Sequence, residues 1–196
     1  MVCSAAMHDP HPSHLIRDEV PGDAAAIAAV LAAAFEPVAG SPPAETELVA
    51  TLRAAGALSL SLVAEAPDGT LVGHIAFSPV TVGGPSEGSG ADSGAGRLLG
   101  LAPLAVLPAW QGHGVGTVLV EAGLAGARAA GAALVFVLGD PAYYRRFGFR
   151  PAAKWGIAWE HAAPAEAFMA LALGPGAGAA PRGVLRYHAA FDRFAE

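Results

Sequence analysis

Apolar and polar positions along this chain follow two periods. Leu15-Ile16-Arg17 reads as a short first strand. Pro21-Gly22-Asp23 then opens a helix with Asp23 as its cap, and Ile27, Val30, Leu31 and Ala34 recur at helical spacing on its buried face. A second helix follows Ser41-Pro42-Pro43, with Leu48 and Leu52 inward. Leu58-Ser59-Leu60-Ser61-Leu62 alternates with period two, the pattern of a half-buried strand. Pro67-Asp68-Gly69-Thr70 is a turn, and residues 71–77 form the returning strand of that hairpin. Residues 98–106 are nearly all apolar, which predicts a strand covered on both faces. Val115, Val118, Leu119 and Ala122 share one face of a helix that runs to about residue 130, where Gly131 ends it. Residues 133–138 form another buried strand. Strand, helix and strand in this order predict a parallel pair joined by a right-handed crossover. A short helix over 142–147, a strand around Phe149, and a final antiparallel pair (168–173 with 183–187, joined by a loop from Gly174) complete the pattern.

Composition narrows the picture. At 196 residues, one domain from residue 14 to residue 196 is expected, large enough to bury a core. Residues 1–13 read as a disordered polar tail, and the Gly/Ser/Asp-rich stretch 83–96 reads as a mobile loop within the domain. The apolar runs are too short to span a bilayer. The opening residues lack a basic segment followed by an apolar one, so no secretory signal is read and a cytoplasmic location is expected. A net charge of -6 argues against a nucleic-acid surface. The lone cysteine, Cys3, lies in the tail and allows no disulfide within the chain. His8, His11 and His14 sit three apart there, a spacing read as solvated rather than metal-binding. No H-E-x-x-H or C-x-x-C framework exists elsewhere, so no metal is expected.

The chemistry concentrates at Gln111-Gly112-His113-Gly114-Val115-Gly116-Thr117. Three alternating glycines after an apolar strand and before an apolar-periodic helix allow a tight turn with uncovered N–H groups. Such a loop at a helix N-terminus attracts phosphate. The spacing is neither the G-x-G-x-x-G of a dinucleotide site nor a P-loop.

This loop, with Leu104-Ala105-Val106-Leu107-Pro108 before it and Tyr144-Arg145-Arg146-Phe147-Gly148-Phe149 after it, resembles the Q/R-x-x-G-x-G/A loop and Y-x-x-x-G-F segment of the GNAT superfamily of N-acetyltransferases. Val72-Gly73-His74-Ile75-Ala76-Phe77-Ser78-Pro79 and Leu138-Gly139-Asp140-Pro141-Ala142-Tyr143-Tyr144 resemble its YhbS-like branch. The resemblance spans about residues 15–191. It implies a mixed α/β (α+β) fold whose central sheet is mostly antiparallel, with a splayed parallel pair of central strands and helices on both faces. It also implies acetyl-CoA as co-substrate and a small-molecule or peptide amine as acceptor. Dimers are common in resembling proteins.

Carried onto this chain, the resemblance places cofactor contacts at Gln111, Gly112, His113, Gly114, Val115, Gly116 and Thr117. It places a carbonyl-polarising backbone N–H among Leu104, Ala105 and Val106, on a strand splayed from its neighbour to admit the pantetheine arm. It makes Tyr144 the general acid beside the thiolate; Tyr143 is the alternative, in a place usually held by a core aromatic. Val137 stands where many members carry Asn, and residues 98–106 lack the Glu that orders a water in several of them. Candidate bases are therefore Glu65, His74, Glu160, His161 and His188, besides a water chain or an amine that arrives uncharged. His74 sits in a strand expected to face the cleft, and imidazole suits proton transfer near neutrality. Trp155, Trp159, Phe168 and Tyr187 are candidates for an acceptor pocket. The missing carboxylate keeps open a non-catalytic acyl-CoA-binding module as the alternative to an enzyme.

Overall fold

The computed structural model describes residues 14–35, 44–83, 97–161, 163–174 and 182–194. The tail 1–13, the loop over 84–96, the helix start at Ser41-Pro42-Pro43 and residues 175–181 of the last loop lie outside the described residues.

Among the described residues, ten strands and four helices follow one another: β1 (Leu15–Asp18), α1 (Ala24–Ala34), α2 (Ala44–Ala54), β2 (Leu60–Glu65), β3 (Leu71–Pro79), β4 (Thr81–Gly83), β5 (Arg97–Val106), α3 (Val115–Ala129), β6 (Ala132–Leu138), α4 (Pro141–Tyr144), β7 (Arg150–Pro151), β8 (Ile157–Trp159), β9 (Phe168–Ala172) and β10 (Gly183–Arg186). Seven strands form one sheet in the order β1-β2-β3-β5-β6-β9-β7, antiparallel except for the β5–β6 pair. Three more form a small sheet, β4-β10-β8.

Side-chain alternation assigns the two faces. Ile75 and Phe77 of β3 pack with Leu119 and Leu124 of α3 in the largest apolar cluster. An added Cβ at Gly123 of α3 would stand 2.5 Å from the Phe77 ring, so glycine is what lets α3 lie this close to the sheet. On the opposite face, Ile27, Val30 and Leu31 of α1 and Val49 of α2 cover Val63, Leu71 and Ala105. The small sheet packs on that same opposite face, through Leu185 and Ile157 against Leu134 and Phe136 of β6. Among the described residues no helix is long and apolar enough to cross a membrane.

Two expectations are corrected. Residues 183–187 do not pair with 168–173: β9 hydrogen-bonds β6 and β7, whereas β10 lies antiparallel to β4 and parallel to β8. The short segments β4 and β8, three residues each, show too little alternation to reveal that second sheet in advance. Asp23 does occupy the position before α1, but its carboxylate makes no cap bond. It instead accepts from Arg17 at 2.6 Å and from the Val20 backbone N–H at 2.8 Å, because a neighbouring guanidinium is the stronger partner.

Candidate active site

The site is built where β5 and β6 separate. Their parallel pairing runs from Arg97↔Ala132 to Gly100↔Phe136 and stops there, although both strands continue. Against β3, β5 keeps register on either side of a bulge: Leu101 faces Phe77 and Leu104 faces Ile75, so Ala102 and Pro103 together stand opposite Ala76. Pro103 has no N–H to offer a ladder. The extra residue also resets which side chains face α3. Leu99 and Leu101 do so before the bulge, Leu104 and Val106 after it.

Beyond the bulge, the backbone of β5 turns toward the gap. Leu107 N–H donates to Val72 O at 2.9 Å. By strand alternation the N–H groups of Val106 and Leu104 therefore point away from β3. The Gln111 side chain donates to Val106 O at 3.0 Å and ties the loop to the strand end.

A cavity of about 450 Å³ opens on this side, lined by Leu104, Val106, the 111–117 loop except His113, and two residues that follow β6, Tyr143 and Arg146. Gly112 and Gly114 have φ of +76° and +85°, conformations that side chains with a Cβ rarely adopt. They place the chain so that α3 begins at Val115 with its first N–H groups at the cavity wall. Gly116 is glycine for a different reason: an added Cβ would lie 2.7 Å from the Tyr143 hydroxyl. Of the residues expected here, Leu104, Val106, Gln111, Gly112, Gly114, Val115, Gly116 and Thr117 line the cavity. Ala105 is buried on the other face, under α1 and α2. The His113 ring bonds Gln111 O at 2.8 Å. Tyr143, weighed in the sequence as a core aromatic or an alternative acid, lines the cavity as well, and so do Trp110 and Arg146, which sequence reasoning missed. The doublet Arg145-Arg146 was the available signal, since a guanidinium near a phosphate loop is an expected partner. Arg146 lies 3.9 Å over the Tyr143 ring.

A second cavity, of about 190 Å³, lies at the same gap, with Leu101 and Ala102 of β5 and Leu138 of β6 along it. Trp159 and Tyr187 line it. Phe168 is instead buried beneath, stacked 6.3 Å from the Trp159 ring, and Trp155 packs against that same cluster. Tyr187 lies directly on Gly100, the last paired residue of β5, where a Cβ would collide with its ring.

The chain's three tyrosines differ in what they face. Tyr143 faces the first and Tyr187 the second. Tyr144 lines neither cavity; it is 8% exposed, edge-on to Tyr143 at 5.0 Å and to Phe149 at 5.6 Å. Burial pushes its phenol well above the usual value, with a smaller push from Tyr143. Burial, and less strongly Tyr144, do the same to Tyr187.

The candidate bases scatter. Glu65 pairs with Arg17 at 2.6 Å. Nδ1 of His188 accepts from Ala190 N–H at 3.1 Å, capping the last turn. Glu160 and His161 line the second cavity. His74 is fully buried under α1 and α2 and lines neither cavity, contrary to the expectation that it faces the cleft. Its Nε2 lies 2.9 Å from Ser61 Oγ, which in turn donates to Glu19, while Arg53 of α2 holds Glu19 at 2.5 Å. Burial pushes the imidazole down to about 4; nearby Glu19 opposes this and Arg53 adds to it. Burial also works to raise the Glu19 carboxyl, but bonds from Arg53 and Ser61 outweigh it and hold it below its ordinary value.

A mixed sheet parted between its two parallel strands, with a glycine-loop helix start at the gap, defines a protein built to hold an extended phosphate-bearing ligand across its centre. Comparison with known proteins makes that definition specific. Residues 25–149 match the model of the acetyltransferase (GNAT) family, and the chain belongs to that family. It is 39% identical over 180 residues to the uncharacterized N-acetyltransferase YhbS of Escherichia coli K12, covering 92% of this chain and 99% of that one. The crystal structure of Escherichia coli YhbS in complex with CoA superposes with a TM-score of 0.81, covering 95% of this chain and 96% of that one. A GNAT family acetyltransferase from Brucella melitensis, solved in complex with acetyl-CoA, is 48% identical, with a TM-score of 0.71 over 93% of this chain and all of that one. Among the described residues no cluster of His, Cys, Asp and Glu is arranged to hold a metal.

Proposed function

We propose that this chain is an N-acetyltransferase that moves the acetyl group of acetyl-CoA to a primary amine by direct attack on the thioester. The observation that carries this reading is the gap between β5 and β6, with a glycine cradle on one side and an aromatic cavity on the other. The Brucella melitensis relative with acetyl-CoA supports the donor.

The loop amides at 112–117 and the N-terminus of α3 hold the pyrophosphate, and Arg146 adds a positive charge at the same wall. The outward N–H of Leu104 or Val106 polarises the thioester carbonyl, where charge develops during attack. The amine nitrogen bonds the acetyl carbon, the carbon–sulfur bond breaks, one proton leaves nitrogen and one reaches sulfur. Tyr144 gives the proton to sulfur. A phenol is protonated at neutral pH, so the donor is loaded; burial pushes its pKa further up, which makes it a weaker acid toward the thiolate. His74 is sealed away from both cavities and Glu160 is engaged by Arg186, so the proton on nitrogen leaves through water or to His161 at the second cavity, or the amine arrives uncharged.

The test is thiol release from acetyl-CoA across a panel of primary amines, with thermal stability measured in parallel. Amine-dependent release is expected, together with stabilisation by acetyl-CoA and none by NAD or ATP. Stabilisation without release above background would make the chain a binding module instead.

A further inference from the structure

Resting on that reading, we infer that the acceptor is a slender dication: a diamine or polyamine with a primary amine at one end and a second cationic nitrogen beyond an apolar spacer. The second cavity sorts its chemistry by depth. Its inner side, at the strand gap, is apolar: Leu101 is buried and Ala102 half-buried, while Leu138, also apolar, is 41% exposed. Its walls are aromatic, with Tyr187 4.7 Å from Phe191 and 6.3 Å from Trp159 between ring centres. Its rim carries two exposed carboxylates, Glu160 and Asp192, and among the described lining residues there is neither Lys nor Arg. Glu160 is shared with Arg186 at 3.3 Å. Asp192 has no charged partner among the described residues.

This gradient dictates the order in which a ligand fits. The nucleophile is the neutral amine, and an apolar inner side beside the thioester favours the neutral form, because an unpaired ammonium is costly there. A carboxylate rim has nothing to recognise on a neutral tail and repels an anionic one. A second ammonium, held at the rim while its methylenes lie along the rings, satisfies both ends. The cavity's 190 Å³ falls below the roughly 300–1,000 Å³ of sites for drug-sized ligands, which favours an unbranched chain over a folded peptide or a nucleotide.

The experiment compares 1,5-diaminopentane, n-pentylamine and 5-aminopentanoate as acceptors for the full-length chain. They share an amine and a similar reach, and differ in the far group. The diamine should exceed pentylamine in kcat/KM by roughly tenfold, as two exposed carboxylates allow, with aminopentanoate last. Asp192→Asn combined with Glu160→Gln should erase the difference between diamine and monoamine through KM, leaving the KM for acetyl-CoA unchanged. Both side chains are exposed, and thermal stability of the variant checks that it folds. Pentylamine equal to or better than the diamine in the wild type overturns the dication inference and leaves the acetyltransferase reading standing. So does a preference for the diamine that survives both substitutions. No thiol release with any amine, while acetyl-CoA still stabilises the protein, overturns the acetyltransferase reading and this inference with it.

Discussion

The buried imidazole of His74 makes the stability of this protein fall before its carboxylates titrate. Folded, the ring sits with no exposure beneath α1 and α2, against Ser61 of β2, with Glu19 ahead of α1 and Arg53 of α2 nearby. It titrates at about 4 rather than the ordinary 6.5, chiefly because burial penalises its charged form. Between those values the unfolded chain takes up a proton that the folded chain refuses. Stability is therefore fully present above pH 6.5 and is lost as the pH falls toward 4. At about 1.4 kcal/mol per tenfold change in proton concentration, the interval costs ~3 kcal/mol, a large share of the ~5–15 kcal/mol that holds a typical domain together. Glu19 and Asp23 are held below their ordinary values of 4.5 and 3.8, so their contributions fade only at lower pH. The window above about pH 4.5 thus isolates His74. Urea denaturation in small pH steps should show the wild type losing stability through this window. His74→Gln, which cannot titrate but still offers Ser61 a donor, should be nearly flat there. Parallel curves for the two proteins would refute the buried neutral imidazole.

Three further outcomes test the site and its support. Tyr144→Phe should cut kcat well over tenfold with little change in the KM for acetyl-CoA, and unchanged turnover would remove Tyr144 from the mechanism. Gly116→Val should weaken acetyl-CoA binding at least tenfold by calorimetry, because its side chain enters the cleft 2.7 Å from the Tyr143 hydroxyl, whereas Gly22→Ala, with open space around it, should bind normally; equal affinities would move the ligand elsewhere. Gly123→Ala should cost ~1–3 kcal/mol in urea denaturation by forcing α3 off the Phe77 ring, and wild-type stability would show that the helix–sheet contact yields freely.

Local signals in the sequence carried far. Ile27, Val30 and Leu31 are buried on α1 and Leu48 and Leu52 on α2, at the spacings that marked them. The β5–α3–β6 unit is parallel, as the strand–helix–strand order required. The loop glycines at 112 and 114 hold positive φ, a demand that a single residue expresses on its own. Other features depend on partners distant in the chain. Period two along 98–106 cannot show a bulge at Ala102 and Pro103, because the missing count is on β3, at Ala76. That bulge carries Leu104 and Val106 to the cleft and Ala105 away from it. That Tyr143 rather than its neighbour Tyr144 lines the first cavity goes with two distant glycines: the Tyr143 hydroxyl rests against Gly116 and the Tyr144 ring against Gly139.

The sequence by itself determined the buried faces of α1 and α2, the parallel unit and the phosphate-type loop, since periodicity and backbone freedom are properties of neighbouring residues; on α3 the face is set differently, with Val118 exposed and Val120 and Leu124 buried. Only the tertiary structure decided where β5 and β6 part, that β10 joins a separate small sheet, that Arg146 stands at the cleft, and that His74 is a neutral core residue rather than a base. Each of these is set by a contact between segments far apart in the chain, and the energy of such a contact is written in neither segment alone.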